Sequence, residues 1–360
     1  MKNIILLWKL ILLRIAKKWA LKFLLPVNYT VSVTYRCNSR CKTCNIYNIK
    51  SEELSSEEYA KIFKKIGKSA YWITISGGEP FLRKDLFDIV YAIYKYSKPK
   101  IINIPTNGLQ YREIPKVVRR ISKNCPKTNI IINVSIDEIG EKDDRIRGVK
   151  NAYENAIKTV KAIQNLKLCN VNLGIHSVIS KFNVDNLQFI AGTLMDFHPD
   201  SYITEIAENR VELDTMESDI TPSLMKYSQA IDYLLFTIKN TKFKGMNKIT
   251  QTFRIEYYKL VKRILKEQRQ VIKCYAGILS AQIAPNGDVW PCCILAKVIG
   301  NLKEYNYNFR KLWLKNQKLN EERKRIRTEK CFCPMANASY TNMLMNNKIA
   351  IKAMLRLFIK

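Results

Sequence analysis

The stretch Tyr29-Thr-Val-Ser-Val-Thr-Tyr-Arg-Cys37-Asn-Ser-Arg-Cys41-Lys-Thr-Cys44 decides how the rest of the chain is read. Residues 29–35 are almost all β-branched or aromatic, the composition of a strand. That strand runs directly into a loop with C-x3-C-x2-C spacing. Three thiolates on one short loop can hold three irons of a four-iron cubane and leave the fourth iron open to a substrate or cofactor. The competing reading is half of a zinc site completed from afar. Structural zinc takes four ligands, and no fourth Cys or His lies close by.

Outward from this loop, to about Arg210, short β-branched runs alternate with helical stretches. The runs are 29–35, 71–76, 101–105, 130–136, 171–179 and 201–206, and the helical candidates are 56–66, 84–96, 113–122, 150–166 and 184–196. Such alternation predicts parallel strands joined by right-handed crossovers. Six units fall short of the eight of a closed barrel. The expected fold is therefore α/β, a partial (β/α)6 TIM-like barrel over 29–210. Residues 211–270 read as a helical linker and 271–340 as a small, irregular, cysteine-bearing extension. Residues 1–28 and 341–360 read as basic helices.

Ten cysteines in 360 residues, most of them in two tight groups, fit metal ligation in a reducing compartment rather than a disulfide scaffold. With only His176 and His198 present, any metal centre must be built largely from thiolates. A hydrophobic fraction of 47 % excludes a mostly disordered chain. Lys plus Arg number 61 against 31 Asp plus Glu, a formal charge of +30, which favours an anionic partner: nucleic acid, a membrane surface or an acidic substrate.

The cysteine loop resembles the signature of the radical S-adenosylmethionine (SAM) superfamily, which carries this spacing after its first strand. The second strand ends in Ser76-Gly77-Gly78-Glu79-Pro80, similar to the family's GGE motif. The resemblance implies that Gly77 and Gly78 let backbone approach the methionine part of SAM, and that Glu79 accepts from its amino group. Asn107, in Pro105-Thr106-Asn107-Gly108, and Ser135 and Asp137, in Ser135-Ile136-Asp137, fall where the family contacts SAM. Asp137 is expected on the ribose hydroxyls. Arg147, in Asp144-Arg145-Ile146-Arg147-Gly148, is expected on the SAM carboxylate. One departure is Thr43, where the family commonly has an aromatic residue near the adenine. Cys37, Cys41 and Cys44 would then hold the catalytic [4Fe-4S] cluster. The chemistry implied is one-electron cleavage of SAM to methionine and a 5′-deoxyadenosyl radical, fed by a ferredoxin- or flavodoxin-type reductant.

Cys274 is followed after twelve residues by Gly287 and after four more by Cys292, with Cys293 adjacent and Cys331-Phe-Cys333 later. This resembles the opening of the SPASM/twitch extensions, which carry auxiliary iron–sulfur clusters. Ala284-Pro285-Asn286-Gly287-Asp288 reads as a hairpin turn by its own chemistry. Five thiols suffice for one auxiliary [4Fe-4S] cluster. Cys274, Cys292, Cys331 and Cys333 are the expected ligands and Cys293 the spare, with four-cysteine zinc as the competing metal. Cys125 and Cys169 read as buried, inert thiols.

The substrate is the open question. Residues 1–26 carry Lys2, Lys9, Arg14, Lys17, Lys18 and Lys22 with no acidic residue, and Lys348, Lys352, Arg356 and Lys360 recur every fourth position. Both ends thus read as basic amphipathic helices suited to an anionic leaflet. The leading expectation is a lipid or membrane-associated substrate, with the protein cytoplasmic and peripheral on the inner face of the membrane. The alternative is a peptide or protein maturase. It is disfavoured because residues 1–28 are too few for the leader-binding domain that many such members carry. Nucleic acid is the least favoured, because the basic stretch 309–327 reads most simply as a solvated helix.

Overall fold

The computed structural model describes residues 24–240, 246–329 and 331–355. Six parallel strands lie side by side: β1 (Asn28–Thr34), β2 (Trp72–Gly77), β3 (Ile101–Thr106), β4 (Asn129–Ser135), β5 (Val171–Ile179) and β6 (Ser201–Ile206). Between them run the helices α1 (Ser56–Ile66), α2 (Leu86–Ser97), α3 (Ile114–Asn124), α4 (Glu141–Arg147), α5 (Ala152–Gln164) and α6 (Leu187–Met195). β6 ends the row on one side and does not close onto β1. The result is an open, partial barrel, as the alternation implies.

Alternate residues explain both faces of this sheet. Ile73, Ile75, Ile102, Ile104, Ile130 and Ile132 are fully buried in one core with helix residues such as Ile62, Ile89 and Val118. Truncating one of these isoleucines to alanine would cost about 2–5 kcal/mol. Apart from Ile131, the intervening positions are polar: Thr74, Asn103, Asn133 and Ser135 are half-buried, and Asn133 Nδ2 donates to Asn103 Oδ1 at 2.8 Å. Parallel sheets are ordinarily apolar on both faces. This face departs from that pattern by carrying a hydrogen-bonded polar pair.

The cysteine-bearing extension is less separate than the sequence suggests. β7 (Ser280–Ile283) pairs in parallel with β1, from Asn28↔Ser280 to Val31↔Ile283, and so continues the barrel sheet. β8 (Asp288–Trp290) returns antiparallel through the expected hairpin, where Gly287 has φ +95°, and β9 (Gly300–Asn301) completes the sheet. These strands are too short to show a period.

Residues 309–327 are not simply a solvated helix. α9 (Phe309–Leu314) and α10 (Gln317–Thr328) anchor the extension, with Phe309 stacked on the fully buried Trp313 at 5.3 Å. The helical region before the extension comprises α7 (Leu224–Asn240) and α8 (Met246–Glu267). At the C-terminus two helices stand where one was expected, α11 (Ala336–Met345) and α12 (Asn347–Leu355), broken at Asn346. Lys352 there pairs with Glu256 of α8. The basic N-terminal segment through residue 23, together with Arg356 and Lys360, lies outside the described residues. Among the described residues no helix is long and apolar enough to cross a membrane.

Candidate functional site

Three parts of the barrel rim grip the cysteine loop. From the C-terminal end of α4, the carbonyls of Arg147 and Ile146 accept the N–H groups of Arg40 (2.8 Å) and Lys42 (2.9 Å). From the end of β2, Gly78 N–H donates to Thr34 and Glu79 N–H to Arg36. From the end of β3, Asn107 Nδ2 donates to Asn38 Oδ1 at 2.7 Å and Ser39 Oγ at 3.0 Å, and lies 3.9 Å from Cys37 Sγ. Two glycines permit these approaches. A Cβ on Gly78 would stand 2.2 Å from the Arg36 carbonyl oxygen, and one on Gly148, at φ +65°, would stand 2.4 Å from that of Arg40.

Cys37, Cys41 and Cys44 are each partly buried. Ser39 N–H donates to Cys37 Sγ at 3.4 Å, and Arg147 Nη1 lies 3.9 Å from Cys41 Sγ. Burial pushes the thiols up, Cys44 to about 12. Without a cation these sulfurs keep their protons. A bound iron–sulfur core would draw them down, and donors already point at two of them.

Among the expected SAM residues, some serve roles the sequence does not show. Glu79 is buried beneath the loop. Its Oε1 accepts from Phe81 N–H (3.1 Å) and Thr106 Oγ1 (3.0 Å), and its Oε2 from Asn107 N–H (2.7 Å). It ties β2 to β3, and burial pushes its carboxyl up to about 7. Asp137 and Arg147, expected on ribose and SAM carboxylate, are buried against each other, Arg147 Nη2 standing 3.1 Å from Asp137 Oδ2. Asp137 Oδ1 also accepts from Val178 N–H at 2.7 Å. A carboxylate and a guanidinium this deep must be paired, so these two brace the loop in this conformation. Asp144 caps the start of α5 through the N–H groups of Asn151 and Tyr153. Ser135 ends β4 in register with His176 of β5. Thr43 is buried.

The second thiol group converges. Cys274, Cys292, Cys331 and Cys333 line one cavity, walled by apolar residues such as Leu260, Ile264 and Ile272 and by Met335. Cys293 is not among its lining residues; it is fully buried, with Sγ 3.1 Å from Met335 Sδ. Adjacent residues project apart, so Cys292 lines the cavity and Cys293 does not. Among the described residues no three His, Cys, Asp or Glu side chains surround a point as they would a single metal ion. Cys125 is buried as expected, but Cys169 is exposed, on the turn before β5.

Sequence reasoning missed a charged knot beside the two thiol groups, in which Glu208 and Glu212 are buried and the other members are half-buried. It comprises His176 on β5, Glu205 on β6, and Glu208, Arg210 and Glu212 just beyond. Arg210 Nη2 lies 3.1 Å from Glu208 Oε1 and 3.6 Å from Glu205 Oε2, and His176 Nε2 lies 3.4 Å from Glu205 Oε1. Burial pushes the Glu208 carboxyl up to about 7. Glu212 accepts from Ser32 Oγ at 3.0 Å and from Gln282 Nε2, joining β1 to β7. The backbone of this strap touches both thiol groups: Asn45 N–H donates to Leu213, and Val211 N–H donates to Ile294. The available signal was three glutamates within residues 205–212 of a strongly basic chain.

The donor chemistry fits iron–sulfur cores at both places: thiols only, gathered in three and in four, with hydrogen-bond donors aimed at sulfur in the first. Comparison with known proteins agrees. The model of the radical SAM superfamily matches residues 31–191, and that of the SPASM iron–sulfur cluster-binding domain matches residues 274–334. Residues 31–191 are thus a radical SAM domain and residues 274–334 a SPASM domain. The cofactors of these domains are [4Fe-4S] clusters and SAM. Among curated relatives, this radical SAM protein is 32 % identical over 164 residues to the Fe-coproporphyrin III synthase of Methanosarcina barkeri, covering 44 % of this chain and 38 % of the relative. It is 28 % identical over 166 residues to the sporulation killing factor maturation protein SkfB of Bacillus subtilis, covering 45 % and 38 %. It thus spans well under half the length of these two relatives. Streptococcus suis SuiB, solved bound to its precursor peptide SuiA, shares the fold with a TM-score of 0.62 at 15 % identity, over 86 % of this chain and 70 % of that one.

Proposed function

We propose that this radical SAM protein is a SAM-cleaving enzyme that modifies a peptide or protein. The observation that carries the reading is the pairing of Cys37, Cys41 and Cys44 with the four-thiol cavity, joined through the 210–214 strap on one continuous sheet. The SPASM match and the likeness to a maturation protein and to a peptide-bound enzyme support the peptide substrate above the lipid one. The membrane reading rests on charge patterns that lie largely outside the described residues.

In this reading Cys37, Cys41 and Cys44 hold the catalytic cluster, and Cys274, Cys292, Cys331 and Cys333 the auxiliary one. When bound, the catalytic cluster supplies the electron that splits SAM into methionine and a 5′-deoxyadenosyl radical. The chain's own contribution is placement. Asn107, Arg147 and the glycines Gly77 and Gly78 fix the loop, and Glu79 locks the ends of β2 and β3 beneath it. Ser135 and Asp137 bound the polar face on which the adenosyl group would lie. Arg210 and its glutamates stand between that face and the second thiol group, where substrate would enter.

Anaerobically reconstituted protein given dithionite and SAM should release 5′-deoxyadenosine. Cells with and without the gene should differ in modified peptides by mass spectrometry. A difference confined to lipids, with no peptide changed, would reverse the choice of substrate.

A further inference from the structure

The proposed reaction requires an electron from outside, and the structure carries an open basic cavity beside the cysteine loop that no part of that reading uses. It has a volume of about 370 Å³. Its cations are Lys42, which sits between Cys41 and Cys44, and Lys142 and Arg145 on the outer side of α4. Phe182, 36 % exposed, forms an apolar centre beneath the Lys42 ammonium, 5.3 Å from its ring.

Among the described residues neither Lys42 nor Lys142 has a carboxylate within ion-pair range, and Arg145 reaches Glu141 only at 4.0 Å. The two acidic lining residues are already engaged. Glu138 accepts from Asn186 Nδ2 at 2.6 Å and from Ile139 N–H at 2.8 Å, and Asp185 pairs with Lys226 at 2.6 Å. Glu138 keeps its charge, since its donors are neutral, but with Asp185 paired to Lys226 the cations Lys42, Lys142 and Arg145 leave the surface net positive, in a chain whose formal charge is +30.

Its position matters as much as its sign. Lys42 N–H is bonded to the carbonyl of Ile146, another lining residue. The next residue on each strand of that contact, Cys41 and Arg147, forms the sulfur–guanidinium pair. The cavity wall at Lys42 and Ile146 is thus one residue along the chain from the Cys41–Arg147 pair.

We infer that this cavity is the docking surface for an acidic one-electron carrier protein of the flavodoxin or ferredoxin class. The inference rests on the proposed function, because only a cluster-bearing loop needs such a partner. One electron leaves the reduced carrier, which is oxidised by one electron, and enters through the Lys42 side of the loop. Charge complementarity steers the encounter and makes it depend on salt.

The test uses the reconstituted full chain and an acidic flavodoxin. Binding of oxidised flavodoxin is titrated at low and physiological salt, and cluster reduction by flavodoxin hydroquinone is followed optically. The double variant K142E/R145E should bind about tenfold more weakly at low salt and slow reduction in proportion, with the neutral K142Q/R145Q in between. The control K64E/K65E, the same charge change on α1, should stay within about twofold, because that site is distant from the loop. Reduction by dithionite and the melting profile should be unchanged in every variant. Equal weakening by both reversals, or none by either, overturns the inference. So does loss of tRNA binding in K142E/R145E with flavodoxin reduction intact, which would assign the surface to nucleic acid. If wild-type protein with dithionite releases no 5′-deoxyadenosine, the proposed reaction fails instead, and the flavodoxin titration still reads the docking surface separately.

Discussion

Replacing Glu79 by Gln separates the brace role of this residue from any role toward SAM, and its effect is calculable. Folded Glu79 keeps its proton to about pH 7, against an ordinary value of 4.5 in the unfolded chain. Across that window the folded state binds more protons, so stability falls as pH rises from 4.5 to 7 and is level above it. At about 1.4 kcal/mol per unit, the wild type should lose roughly 2–3 kcal/mol between pH 5 and pH 8 from this group. Glutamine cannot ionise, so that slope disappears. The substitution has its own cost, because the new NH2 group must face Asn107 N–H, or else Phe81 N–H and Thr106 Oγ1. A donor left facing a donor in a buried place costs about 1–3 kcal/mol. E79Q should therefore be clearly less stable than wild type at pH 5 and nearly equal to it at pH 8. Urea denaturation of the reduced, cluster-free chain at both pH values measures this. An equal stability loss at both would refute the assignment of Glu79 as a buried, proton-holding brace.

Other outcomes follow from the same geometry. Reconstituted protein should hold about eight irons, and changing Cys37, Cys41 and Cys44 together to Ala should remove about half; zinc filling the second group instead would end the auxiliary-cluster reading. C292S should lose the auxiliary iron while C293S retains it, since Cys292 lines the cavity and Cys293 does not. G148A should lower iron at the first site and spare the second, because its Cβ would press on the Arg40 carbonyl; an unchanged first-site absorption spectrum would show that the loop can give way.

Much of this molecule is legible in its sequence, for identifiable reasons. The strands β1 to β6 fall within two residues of their sequence-derived bounds, because each is a β-branched run ended by turn residues. The four thiols expected of the second group, chosen through the resemblance to SPASM/twitch extensions with Cys293 set aside because neighbours point apart, line one cavity. What the sequence hides are pairings between distant segments. Nothing local in Ser280–Ile283 says that it will lie beside β1. Likewise nothing in Arg147 says whether its guanidinium meets a ligand or Asp137; burial decides, and burial is a property of the fold.

The same logic accounts for the charged knot. A chain with so large a basic excess gains little from collecting Glu205, Glu208 and Glu212 around Arg210. Desolvating them costs several kcal/mol each, and one guanidinium cannot fully compensate three carboxylates. Burial outweighs Arg210 at Glu208 and pushes its carboxyl up to about 7, whereas at Glu205 burial is outweighed by the His176 and Arg210 partners, which hold it low. Well-packed apolar residues of similar volume would hold β6 to the extension at least as firmly. The knot therefore has its use in place rather than in stability. It stands at the carboxyl ends of β5 and β6, where barrels of this kind bind their ligands, and its backbone connects the loop after Cys44 to the turn after Cys293. The strap's own bonds carry that connection, Leu213 accepting from Asn45 N–H and Val211 N–H donating to Ile294, so the segment after Cys44 and the turn after Cys293 are tied to one short piece of chain.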